Sequence, residues 1–453
     1  MRLRASIAIL GLLLAAHGAD AQSKTNLQAL QGLVPFSTLG NTEAGKAALA
    51  ANYSITSAIQ TGTASQPVLE PFPAQQEQAL KDAFITSGNA YQLADGLGTK
   101  LGGAYQAVAS FTSTDDGKTT SFTNLSPAVA TLIAYTATLS GSDSNSGKFF
   151  FAGAVQKTTG PAVPISPAAA AILKNAGGKT DVFGTAYNKP AGSPGADPYG
   201  DSRPYQTETN LLKYTDPDFF NAASGNADYL YGPAQNLEKS PAFPSGHTTY
   251  GYTESMLLAI LVPQRYTQMV ARGAEYGNSR IVLGAHYAMD VIAGRTLAYY
   301  DLAHLLAGNP TYVGQTEGKV TITNYQAALK QAESDVTAAL TKRCGESLNA
   351  CAATDTSRFS NATTDEAFYE ATQTYGLPPV YPAKHESVTK LAPEAGWLLK
   401  AAFPKLTLAQ ADHILTETEG PGGGFLDNGS AFGVYSRLDL FKAGEKAASL
   451  TAK

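Results

Sequence analysis

The chain has 453 residues, 43% of them hydrophobic and 15% charged. That length exceeds what one hydrophobic core usually serves, so one large domain with an appendage, or two domains, is expected, and the low charge fraction excludes a disordered polyelectrolyte. A formal net charge of −5 offers no basic face and argues against nucleic-acid binding.

The N-terminus reads as a secretory signal. Arg2 and Arg4 supply a positive end, and residues 5–16 form an apolar run too short to cross a bilayer. Ala19 and Ala21 provide small residues for cleavage, so residues 1–21 are expected to be removed and the mature chain to start at Gln22 in a periplasm or outside the cell. A retained anchor is the alternative.

Residues 22–74 mix Ser, Thr, Gln and Pro with short apolar stretches and read as an irregular lead-in. From Gln75 the pattern becomes helical, with Ala79, Leu80, Ala83 and Phe84 at three- and four-residue spacing. Residues 115–118 punctuate it as a turn. Ser126 and Pro127 then open a helix expected to run through Leu139. Residues 141–147 read as a polar loop, and Ser166 with Pro167 as the cap of a short Ala-rich helix ending near Gly177. Residues 184–245, rich in Gly, Pro, Tyr, Asn and Asp, form a long connection of the kind that often carries function. Residues 247–306 are helical again, broken at Pro263 and loosened at Gly284.

Beyond Gly308 a further region holds a helix from about Tyr325 to Thr341, then Cys344 and Cys351, and a Gly-rich turn at 420–424. In an oxidising compartment the two cysteines are expected to form a disulfide that closes a short loop and staples only locally. The glycine turn lacks the lysine of a phosphate-binding loop and reads as a mobile turn. No mature segment has the length of a clean membrane-spanning helix. The prediction is an all-α protein, with a helical core over 75–310 and a C-terminal extension over 311–453.

Two histidines stand in unusual surroundings. Pro244, Ser245 and Gly246 lead His247 into an apolar periodic helix. Free backbone N–H groups at such a start hold anions, and Gly246 permits close approach of a ligand. An ordinary helix cap beside a surface His is the alternative. Farther on, His286 and Asp290 are four apart and share a face if helical, so the carboxylate can fix the ring tautomer and leave the other nitrogen to attack. Arg280 sits among apolar residues, where an unpaired guanidinium is costly; it pairs internally or awaits an anion. A structural Arg with a core His–Asp hydrogen bond remains the other reading. His304, His385 and His413 lack convincing partners in sequence and read as surface or packing residues.

Taken together, the two segments resemble the type 2 phosphatidic acid phosphatase superfamily, and within it the bacterial class A nonspecific acid phosphatases. That family carries K-x6-R-P, P-S-G-H and S-R-x5-H-x3-D. The second part matches at Pro244, Ser245, Gly246 and His247, and the third at Ser279, Arg280, His286 and Asp290. Arg203 and Pro204 fit the end of the first part, but Ala196 stands where the lysine belongs, and the nearest upstream lysine is Lys189.

The resemblance implies an all-α fold and hydrolysis of small phosphate monoesters without a metal. It implies His286 as nucleophile oriented by Asp290, and His247 as general acid and base. Arg203, Arg280 and Lys189, the Ser245 hydroxyl and the Gly246 N–H would hold the phosphoryl oxygens. A related vanadate-dependent haloperoxidase shares such a pocket, with vanadate bound at His286. A metal-dependent hydrolase using His247, His286 and Asp290 as ligands is a rival from another class, opposed by the arginines. A non-enzymatic anion-binding protein is a third.

Overall fold

The structure is a computed structural model that describes residues 24–83, 85, 90–109, 111–113, 120–122, 126–155, 168, 171–172, 203–204, 241–383 and 387–452. The signal segment, the turn at 115–118, Ser166 and Pro167, most of the 184–245 connection, Lys189 and His385 lie outside them.

The all-α expectation holds. Among the described residues, strands occur only as two short antiparallel pairs, Phe111–Ser113 with Thr120–Phe122 and Thr316–Glu317 with Val320–Thr321. The helices that position the site are α1 (Lys24–Leu33), α2 (Glu43–Gln60), α3 (Phe72–Ala83), α4 (Thr99–Val108), α5 (Pro127–Val155), α6 (Gly246–Leu261), α7 (Tyr266–Val282) and α8 (Ala288–Leu306). Every residue of α8 is buried, as are nearly all of α6 and α7. Helices covered on all faces belong at the centre of a bundle. The breaks fall as expected: Pro263 opens a 3-10 turn between α6 and α7, and Gly284, with φ of 72°, reverses the chain after α7.

The lead-in expected to be irregular instead folds into α1 and α2. Its polar residues made it look like a loop, but two of them are buried and serve a helix elsewhere. Asn52 Oδ1 accepts from the Met289 N–H at 3.0 Å and Thr56 Oγ1 from the Ala288 N–H at 3.1 Å. These are first-turn donors of α8 that the helix itself cannot satisfy.

A second correction concerns residues 141–147. They form no loop; α5 runs through them and spans 29 residues. Asp143, Ser144, Gly147 and Lys148 on this stretch are all buried. A helix face that looks into a polar pocket has the composition of a surface loop, which is why the pattern misleads.

Beyond α8 lie α9 (Tyr325–Cys344), α10 (Leu348–Ala353), α11 (Ala362–Thr374), α12 (Leu408–Thr418) and α13 (Leu440–Thr451). Cys344 and Cys351 form a disulfide that ties α9 to α10, with Cα atoms 6.2 Å apart. Hydrogen bonds hold the glycine turn to its surroundings. Gly423 N–H donates to Asp427 Oδ2 at 2.9 Å, and Asp427 also accepts from the buried Arg437, which pairs with Glu419. Apolar side chains from Ala29 to Ala447 share one contiguous cluster. None of the described helices is long and apolar enough to cross a membrane.

Candidate active site

Three chain segments converge at the start of α6. Ser245 is its N-cap, with Oγ accepting from the Thr248 N–H at 3.2 Å, so the hydroxyl hydrogen stays available to a ligand while Gly246 and His247 begin the helix. The Ser245 N–H donates to the Asp290 carbonyl at 3.1 Å. Gly294 lets α8 come this close: a Cβ there would lie 2.6 Å from the Ser245 carbonyl oxygen.

His286 sits in the turn between α7 and α8, held by its own N–H donating to the Arg280 carbonyl at 3.2 Å. It is therefore not on a helix with Asp290, as the four-residue spacing suggested. The contact forms because Asp290 lies in the first turn of α8 and reaches back, its Oδ2 taking the Tyr287 N–H at 2.9 Å and facing His286 Nδ1 at 3.1 Å.

The other ring nitrogen, Nε2, faces Arg203 Nη1 at 3.0 Å. A guanidinium only donates, so Nε2 must carry the lone pair and Nδ1 the proton that goes to Asp290. Arg203 is itself anchored on the Ala285 carbonyl at 2.8 Å and the Pro241 carbonyl at 3.1 Å. The sequence-predicted Arg203, His286 and Asp290 thus form one fully buried chain of contacts.

Arg280 is the decisive residue. Its side chain is 0% exposed, yet Nε, Nη1 and Nη2 have no hydrogen-bond partner among the described residues. It is close enough to both His247 and His286 to lower their proton affinity. Burying an unpaired guanidinium is expensive, and an anion bound beside it removes that cost. Ser279, its neighbour in sequence, points elsewhere: its hydroxyl donates to Asp82 Oδ2 at 2.7 Å, within an ion network in which the Arg272 guanidinium holds Asp82 and Asp95. That network locks α7 to α3.

The electrostatics follow from burial under several cations. Burial first, then Arg203, Arg280 and Lys148, holds the His286 imidazole well below the ordinary histidine range. His247 is lowered in the same way by burial, Arg280, Lys148 and Arg203. Burial pushes the Asp290 carboxyl up to about 7, against the lowering effects of the Tyr287 N–H, Arg203 and Lys148. His247 packs against Tyr250, with ring centroids 5.0 Å apart, and the Tyr250 hydroxyl is fixed on the Ile85 carbonyl at 3.1 Å.

Lys148 was missed by sequence reasoning, because it lies in the stretch read as a loop. A signal was present: a lysine directly before Phe149, Phe150 and Phe151 raises the same question as an arginine among apolar residues. Lys189 lies outside the described residues, so its place relative to the site is not fixed. His304 packs among Tyr300, Tyr312 and Tyr435 with its Nδ1 on the Tyr300 carbonyl, and the exposed His413 pairs with Glu417, in line with their bland readings.

The donor set suits an oxyanion. Among the described residues, no group of three or more His, Cys, Asp or Glu side chains is placed to hold a metal ion. The two ring nitrogens of His286 face a carboxylate and a guanidinium, and a cation at Nε2 would meet Arg203.

Residues 197–309 match the PAP2 superfamily. The matched segment makes up about a quarter of the chain. It contains Arg203, Ser245, Gly246, His247, Arg280, His286 and Asp290, whereas Lys148 and Lys189 precede it. Over 71 residues the chain is 42% identical to an acid phosphatase of Zymomonas mobilis, covering 16% of this chain and 27% of that protein. Over 69 residues it is 41% identical to a non-specific acid phosphatase of Salmonella typhimurium, covering 15% and 28%. A non-specific acid phosphatase of Providencia stuartii is 35% identical over 81 residues, covering 18% and 32%. The chain thus aligns with about a third or less of each relative's length.

Proposed function

We propose that the protein is an exported phosphatase that hydrolyses small phosphate monoesters through a phosphohistidine on His286. The observation that carries this reading is the buried Arg280 guanidinium, without a hydrogen-bond partner among the described residues, beside a histidine whose Nε2 holds a lone pair. The relatives, all acid phosphatases by name, support the same substrate class.

In the first step His286 Nε2 attacks phosphorus, the bond to the ester oxygen breaks, and His247 gives its proton to the leaving alcohol. In the second step His247 takes a proton from water as that oxygen attacks phosphorus. The phosphorus–nitrogen bond breaks and orthophosphate leaves. Asp290 holds the Nδ1 proton and stabilises the charge that develops on the ring. Arg203 and Arg280, with the Ser245 hydroxyl and the Gly246 N–H, take the charge on the non-bridging oxygens.

The lowered proton affinity of His247 has a purpose in this scheme. The cations that suppress it are neutralised when a phosphate dianion binds, so the substrate itself raises His247 toward the protonated form it needs as an acid. Residues 1–21 as a signal, together with the Cys344–Cys351 disulfide, support export.

The test is turnover of a generic labelled aryl phosphate with and without chelator, combined with an alkaline denaturing quench, which a phosphohistidine survives. Label is expected on His286 and absent in His286→Ala. Label on a serine, or activity abolished by chelator, overturns the mechanism. Halide oxidation with vanadate and peroxide in place of hydrolysis would point to the haloperoxidase reading, whose oxyanion fits the same donors.

A further inference from the structure

We infer that Lys148, presented by α5, is the third cation of the phosphoryl pocket and binds a non-bridging oxygen together with the Ser144 hydroxyl. The inference rests on the phosphoryl-transfer reading above and supplies the lysine contact that the Arg203 segment lacks at Ala196.

The geometry comes from the glycine at the start of α6. A Cβ built on Gly246 would lie 3.3 Å from Ser144 Oγ, 3.5 Å from Lys148 Nζ and 3.6 Å from Lys148 Cε. The hydroxyl and ammonium therefore stand over the first peptide of α6, where an anion would meet the helix's free N–H groups. Ser144 and Lys148 are four apart on one helix and share a face. That face is seated firmly: a Cβ on Gly147 would lie 3.0 Å from Pro244 Cδ, so α5 rests on the turn that delivers Ser245 and His247.

A second observation points to a ligand. Ser144 is 1% exposed and its Oγ has no hydrogen-bond partner among the described residues, like the three nitrogens of Arg280. Two orphaned polar groups from different helices border one pocket, and a tetrahedral oxyanion has enough acceptors to satisfy both. Lys148 is also close enough to His247, His286 and Asp290 to act on each of them. Three cations then face a phosphoryl group whose charge spreads over three equatorial oxygens.

The experiment measures orthophosphate affinity and aryl-phosphate kcat/KM for full-length Lys148→Met, Lys148→Arg, Ser144→Ala and Lys189→Ala beside wild type. Folding is checked by circular dichroism. Lys148→Met is expected to lose at least about thirty-fold in kcat/KM and about ten-fold in orthophosphate affinity, with partial recovery in Lys148→Arg. Ser144→Ala, which removes an unpartnered hydroxyl from an intact helix, is expected to weaken orthophosphate binding several-fold and stands in should Lys148→Met fail to fold. Orthophosphate affinity within two-fold of wild type in every folded variant of these two residues overturns the inference. So does a loss that falls on Lys189→Ala alone. Should wild type bind orthophosphate yet hydrolyse no phosphomonoester, the phosphatase reading fails, and the affinity comparison still decides Lys148.

Discussion

Arg203 Nη1 donates to His286 Nε2 at 3.0 Å, on the ring nitrogen opposite the one that faces Asp290. The pair has two consequences: the arginine fixes the tautomer of His286, and under the proposed mechanism it stands where the incoming phosphoryl oxygens must go. Arg203→Ala is expected to lower kcat/KM by about a hundred-fold or more. Arg203→Lys should recover little, because one ammonium cannot serve Ala285, Pro241 and the ligand in the planar geometry of a guanidinium. Steady-state kinetics on one aryl phosphate checks both. A lysine variant near wild-type rate would mean that charge alone suffices.

Arg280 should trade stability for activity. Its guanidinium is buried and has no hydrogen-bond partner among the described residues, so Arg280→Met is expected to stabilise the phosphate-free protein by about 1–4 kcal/mol while abolishing measurable turnover. Thermal melts in phosphate-free buffer and with added orthophosphate test this. Wild type should gain Tm on adding orthophosphate and the variant should gain much less. A variant that melts lower in both buffers would show that Arg280 has a structural partner.

The pH profile follows from the depressed His286. Under the proposed mechanism neutral His286 attacks phosphorus; a histidine held well below the usual 6.5 stays neutral into acid, so the acid limb of kcat/KM should lie below that value. Removing one of the cations that lower it moves the limb upward. The residual activity of Arg203→Ala is therefore expected to show its acid limb at higher pH than wild type. An unshifted limb would assign that limb to another group.

Asp143 and Asp301 are buried and electrostatically coupled, with Glu317 and Tyr312 nearby. Burial pushes Asp143 up to about 7; burial and then the Asp143 charge raise Asp301 well above the usual carboxylate range. Folded-state values above unfolded ones mean that Asp143's stabilising contribution is present below about pH 4 and is lost as pH rises through about 7, with Asp301 shifted in the same direction. Asp301→Asn should therefore raise Tm at pH 8 and have less effect at pH 5. Equal shifts at both pH values would rule out a proton-linked origin.

Asn52 and Thr56 tie α2 to the start of α8, two residues from His286. Asn52→Ala leaves the buried Met289 N–H unpaired and is expected to cost about 1–2 kcal/mol of stability. Because Asp290 sits in the same turn, kcat should fall several-fold while KM changes little. Unfolding curves and kinetics on the same preparation separate the two effects. A stability loss with unaltered kcat would confine Asn52 to the scaffold.

Much of the site was legible because its chemistry is local. The helix start at Ser245 and Gly246, the break at Gly284 and the spacing of Arg280, His286 and Asp290 are set by short-range backbone geometry, which the sequence displays directly. The all-α class followed from the helical spacing at Ala79, Leu80, Ala83 and Phe84, the continuous apolar stretches in residues 247–306 and the family resemblance. What the sequence could not display was polarity placed inside the fold. Asn52, Thr56, Ser144 and Lys148 sit on helices whose buried faces satisfy α8 or border the pocket, so their segments read as lead-in and loop. Only tertiary packing decides that a polar residue is buried, because the group that rewards its burial lies far away in the chain: Met289 N–H for Asn52, and the start of α6 at Gly246 for Lys148.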